Sequence, residues 1–166
     1  MHESQIRANR FRAAATSPRD WTEAAGYRSV MPMFLPTELV ALTWGCILAF
    51  VHILAAAQAK TRQYGTKWNV GARDEELPPL NPVAGRLARA QANFLETFPI
   101  FIAAVILALT IGSTDGTRFG AWLWLGGRVA YLPLYAFGVP VARSLAWAAS
   151  LVGIVMVLMP ALKALF

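Results

Sequence analysis

Arg86, Arg89, Asn93 and Glu96 recur at spacings of 3, 4 and 3, which holds all four on one face of a helix. Downstream, Arg128, Tyr131 and Tyr135 repeat the 3 and 4 spacing, and Arg143 and Ser144 follow after Pro140. Cations, an amide, a carboxylate and two phenols gathered in this way suit a small, polyanionic, water-soluble ligand. The guanidinium groups would hold its anions and Glu96 its ammonium. An Arg and a hydroxyl beside a thiol would lower its pKa and favour the nucleophilic thiolate. The competing reading is structural: an Arg89–Asn93–Glu96 ladder that stabilises a bundle, interfacial phenols at Tyr131 and Tyr135, and an Arg143 that snorkels from a helix end. Arg128 lies about ten residues from either end of its apolar run, too deep to snorkel, and is expected to face Glu96, the acid at comparable depth.

The elements that carry these residues follow from composition. Of the 166 residues, 57% are hydrophobic and 14% charged, against about 45–50% and about 25% in soluble domains. One domain of this size cannot hide so much apolar surface. The same figures exclude disorder, and a single cysteine, Cys46, excludes a disulfide scaffold. An integral membrane protein remains. Apolar runs at 37–59, 89–112, 119–139 and 143–162 predict four membrane-spanning helices, each long enough for a bilayer core of about 30 Å. The expected fold class is therefore all-α, an integral membrane four-helix bundle. Thr37 is the expected N-cap of the first span, and Pro160 is expected to end or kink the fourth.

The net charge of +6 reads as a topology signal. No basic cluster is interleaved with stacking aromatics, so no nucleic-acid partner is expected. Lys60, Arg62, Lys67, Arg73 and Arg86 fall in or beside the first loop, with Arg143 at the third connection, while Arg118 and Lys163 stand alone at the other end. The first loop is thus expected to be cytoplasmic, with Trp122 and Trp124 in an interfacial belt. Residues 1–35 differ in composition and are rich in Arg. They are read as a disordered extension or the product of an upstream start codon, with Met31 or Met33 as the alternative start.

With these residues in view, 89–99 (RAQANFLETFP) and 127–144 (GRVAYLPLYAFGVPVARS) resemble the MAPEG family, the membrane-associated proteins in eicosanoid and glutathione metabolism, in a bacterial-type form. The resemblance extends over about 36–162. It implies a homotrimer of four-helix subunits in a bacterial inner membrane, with glutathione as co-substrate between neighbouring subunits. It also implies a glutathione-dependent transferase or peroxidase acting on a hydrophobic small molecule that arrives from the membrane lipid. Lys60, Arg89, Asn93, Glu96, Arg128 and Tyr131 would hold glutathione, and Arg143, Ser144 and Tyr135 would be catalytic, with Arg143 against the sulfur. Asp74 falls near an acid of the family's first loop. Ala92, Tyr131 and Gln91 stand where some members have Arg, His and His. The family also contains non-catalytic lipid-binding scaffolds, so fold and catalysis are separable. A transporter is disfavoured, because the chain has no internal repeat.

The remaining single residues read as structural. His52 is expected to hydrogen-bond across helices, and Cys46 to be a buried, inert packing residue. Gly45 with Ala49, and Gly126 with Ala130, are expected at close helix approaches. No metal site is expected, since no ligand spacing is present.

Overall fold

Hydropathy sets the number of long helices, and capping residues set where each begins. The computed structural model describes residues 35–166; the expectation for the N-terminal extension lies, Leu35 apart, outside the described residues. The elements are α1 (Thr37–Tyr64), the short α2 (Thr66–Val70), α3 (Pro82–Ile111), α4 (Asp115–Phe137) and α5 (Pro140–Lys163). The described residues form helices, turns and loops with no strand. α1, α3 and α5 are each long and apolar enough to cross a membrane. α4 is 23 residues long and carries Asp115, Arg118 and Arg128.

α3 starts earlier than the hydropathy alone predicts. Asn81 caps it, its Oδ1 accepting from the Ala84 N–H at 2.9 Å, and Pro82 follows at the first turn, where its missing N–H is harmless. Pro140 opens α5 in the same way. α4 begins with a capping box between Thr114 and Thr117 and ends at Gly138, which takes the left-handed conformation (φ 76°) that glycine adopts without strain. α1 runs on through Lys60 and Arg62 to Tyr64. Thr37 makes no cap bond, because Pro36 occupies the capping position. Pro160 does not end α5, which continues to Lys163.

The core forms where α1, α3, α4 and α5 meet. Trp124 is fully buried and stacks on Phe101 at 3.6 Å between centroids and 8° between planes, with Phe98 at 5.8 Å on its flank. It is therefore a core residue, whereas its neighbour Trp122 is exposed and suits the belt position. Gly45 of α1 lies under Trp124, since a Cβ there would come within 2.7 Å of the indole. A Cβ on Gly126 would meet nothing within 4 Å among the described residues, so it serves no close approach between these helices. That role falls to Gly120 and Gly127 of α4 and Gly153 of α5, where added Cβ atoms would meet the facing backbone at 2.6–2.8 Å. Cys46 is exposed: the inward stripe of α1 is Glu38, Ala41, Gly45, Leu48, His52 and Ala56, which turns Cys46 outward.

The two ends of the molecule differ chemically. Glu38 at the start of α1 is fully buried. Its Oε1 accepts from Ser113 Oγ at 2.8 Å and from Thr117 Oγ1, tying α1 to the α3–α4 turn. Opposite, the long loop is anchored to the end of α1. Tyr64 Oη donates to the Pro78 carbonyl at 2.6 Å, and Gln63 Nε2 donates to the Pro79 carbonyl at 2.9 Å. The polar stripes from the sequence gather at this second end.

Candidate functional site

Asn93 of α3, Tyr131 and Tyr135 of α4, and Arg143, Ser144 and Trp147 of α5 line one cleft of about 210 Å³. Helical geometry brings them together: Tyr131 and Tyr135 are one turn apart on α4, and Arg143 and Trp147 one turn apart on α5. The α4–α5 hairpin at Gly138 folds the two pairs face to face. Arg86 of α3 closes the turn, with Nη1 against Gly138.

An aromatic and cationic ladder runs through the site. The Arg143 guanidinium lies 4.5 Å from the Tyr135 ring centre. Tyr135 meets Tyr131 edge-on at 5.2 Å, and Arg128 lies 5.6 Å from the Tyr131 ring. Such contacts hold a guanidinium over a ring face by its quadrupole. Arg143 keeps its N–H donors available to the cleft. Ser144 Oγ donates to the Pro140 carbonyl at 3.0 Å, which leaves its oxygen lone pairs open but commits its proton.

Arg128 is fully buried. Nη1 donates to Asn93 Oδ1 at 2.9 Å and Nη2 to Thr97 Oγ1 at 2.6 Å. The expected pairing with Glu96 does not occur. On a helix of about 100° per residue, Thr97 lies about 40° from Asn93 toward the side that faces α4, whereas Glu96 lies about 60° from Asn93 on its other side. Glu96 and Arg89 are exposed on the outer face of α3, so the Arg89–Asn93–Glu96 ladder is not formed either. Among the described residues the one ion pair is Arg118–Asp115, at 3.0 Å. Lys60 sits partly buried on α1 and does not line the cleft.

His52 also departs from expectation. It is fully buried and stacks on Phe94 at 4.6 Å, and neither ring nitrogen has a hydrogen-bond partner among the described residues. Of the nine sequence candidates, Asn93, Tyr131, Tyr135, Arg143 and Ser144 thus share the cleft. Arg128 stands behind it, and Lys60, Arg89 and Glu96 lie outside it. Thr97 and Trp147 are the members that sequence reasoning missed. Trp147 follows Arg143 by one helical turn, a spacing that would have found it.

The MAPEG sequence profile matches residues 41–162, a stretch that contains every cleft residue. This chain belongs to the MAPEG family. A comparison with curated proteins finds no match. Family membership and three membrane-capable helices make this MAPEG protein an integral membrane protein in a lipid environment, of the class named for eicosanoid and glutathione metabolism. The cleft of this MAPEG chain lies at the end of the helices that also bears the first-loop cations.

Proposed function

We propose that this protein is a glutathione-dependent transferase or peroxidase for lipophilic electrophiles, working as a homotrimer of four-span subunits with the first loop cytoplasmic. The observation that carries the reading is the cleft itself, where the Arg143 guanidinium, two phenols and the Asn93 amide converge with no carboxylate among the lining residues. This donor set fits the anionic parts of glutathione, its thiolate and carboxylates. Its ammonium needs an acid, and Glu96 lies on the adjacent exposed face of α3, where a neighbouring copy would complete the site together with Arg89 and Lys60.

Glutathione supplies the sulfur nucleophile when bound. Arg143 lowers the free energy of the thiolate by charge and hydrogen bonding, raising the fraction of nucleophile at neutral pH. Tyr135 orients Arg143 through its ring face and offers its hydroxyl to the sulfur. Ser144 contributes once its hydroxyl turns from Pro140 toward the cleft. With a chlorodinitrobenzene probe, the carbon–sulfur bond forms and the carbon–chlorine bond breaks, with chloride leaving. Positioning and the shifted thiol equilibrium account for the acceleration.

Arg143→Ala is expected to reduce conjugation of that probe by at least about 100-fold, the scale of losing a charge-stabilising donor, while the assembly keeps its mass. Unchanged turnover would rule out the mechanism. A second reading, a non-catalytic lipid-binding protein, is favoured by the commitment of the Ser144 proton to Pro140 and by Ala92. Calorimetry separates the two: no heat at millimolar glutathione selects the second.

A further inference from the structure

Asn93 has an amide with two chemically opposite ends, and the structure decides which end faces the cleft. Arginine carries only donors. A guanidinium bonded to Asn93 therefore has to meet the carbonyl oxygen, as it does at 2.9 Å. The Nδ2 amino group is the polar end left over for the cleft that Asn93 lines, and it makes no bond to a described residue. Arg128 itself is held twice, since Thr97 accepts its second nitrogen at 2.6 Å. It is fully buried behind Tyr131 and does not line the cleft.

We propose that Arg128 is a positioning residue: clasped to Asn93 and Thr97, it fixes the Asn93 amide so that the cleft presents an N–H₂ donor there and selects an anionic acceptor. The inference rests on the cleft being a ligand site, as read above. A free asparagine can rotate to present either its oxygen or its nitrogen, and so accepts a cation or an anion. The clasp removes that choice. Thr97 takes part because its own proton goes to the backbone carbonyls of Asn93 or Phe94, both at 3.2 Å, leaving a lone pair for Arg128.

The test is a double-mutant cycle on detergent-purified protein titrated with glutathione by calorimetry. Asn93→Asp keeps the shape, keeps an oxygen for Arg128 and replaces the donor with an acceptor; binding is expected to weaken by about tenfold or more. Arg128→Lys loses the planar fork whose two nitrogens reach Asn93 and Thr97 separately and is expected to weaken binding by about fivefold. The pair Asn93→Asp with Arg128→Lys is expected to bind no more weakly than Asn93→Asp alone, because Arg128 acts through Asn93. Additive losses would put Arg128 on the ligand and overturn the proposal, as would Asn93→Asp binding like the wild type. Thr97→Val removes one anchor without removing a charge; its weakening should likewise vanish in the Asn93→Asp background. A ligand-independent measurement keeps the two readings apart. In protein with ¹⁵N-labelled asparagine, the Asn93 side-chain amide signals should broaden with a water-soluble gadolinium chelate. Their broadening without any glutathione heat removes the glutathione reading and supports the orientation; unbroadened signals overturn the orientation.

Discussion

Arg128 and His52 sit side by side in the membrane part of the chain and meet the same constraint differently. A charge at bilayer depth costs about 2.5–3.5 kcal/mol on insertion scales, and Arg128 offsets this with Asn93 and Thr97. His52 has no such partners and relies on stacking against Phe94. A buried polar group without a partner costs about 1–3 kcal/mol. His52→Phe keeps the stack and removes the two unpartnered nitrogens, so it is expected to stabilise the protein by about 1 kcal/mol or more, read as a higher melting temperature in detergent. A lower one would show that the imidazole is bonded after all. The depth of Arg128 and the register of Asn93, Tyr131 and Tyr135 were legible in the sequence, because helical spacing alone fixes them. The partner of Arg128 was not. Choosing Thr97 over Glu96 depends on the rotation of α3 about its axis, and a threonine in an apolar run carries no charge to draw attention to it. Ser144 shows the same limit, since residue type says that a hydroxyl is present but not that Pro140 holds its proton.

At the scale of elements, the α4–α5 hairpin holds the cleft together, and glycine lets its backbones approach. A Cβ on Gly153 would lie 2.6 Å from both the Gly120 carbonyl oxygen and the Trp124 backbone nitrogen. Backbone cannot rotate away as a flexible side chain can, so the helices must separate. Gly153→Ala is expected to destabilise by about 1–3 kcal/mol and to open the cleft, lowering affinity at Asn93 and Arg143 together. Gly126→Ala is the control. Nothing lies within 4 Å of it, and alanine gains about 1 kcal/mol of helix propensity, so a neutral or raised melting temperature is expected. Equal losses at both positions in thermal denaturation would refute the packing account. The helices were readable from hydropathy, but the choice of glycines was not. Gly126, Gly127 and Gly120 look alike in sequence, and which of them face α5 follows from a crossing that only the packed chain defines. The caps moved the boundaries for a similar reason. Asn81 and Pro82 begin α3 in a polar stretch that hydropathy assigns to a loop.

At the scale of the whole molecule, the outer face of α3 poses a problem that a single chain does not solve. Arg89 and Glu96 are exposed there, about 10 Å apart along the helix axis. Arg89, near the helix start, can reach the aqueous layer along its own stem. Glu96 lies two turns deeper, and its shorter side chain cannot. A lone chain would present that carboxylate to lipid, at a cost of about 2.5–3.5 kcal/mol for a mid-span acid on insertion scales. Between them Ala92 is exposed and small, which permits a second helix to approach closely. Packing α3 against copies of itself, as in the proposed assembly, would cover the carboxylate and would bring it within reach of a neighbour's Arg89, the same arrangement that would complete the ligand site. Native mass measurement in mild detergent is expected to give the three copies of the proposed homotrimer. In such an assembly the neighbouring copy would cover Arg89 as well, so Glu96→Leu alone would leave that guanidinium unpaired and is expected to destabilise the assembly more than Arg89→Leu with Glu96→Leu together, since removing one partner of a buried pair is costlier than removing both. A wild-type chain that stays monomeric at every protein-to-detergent ratio would overturn the assembly. A double variant as damaging as the sum of the single changes would show that the two charges act independently.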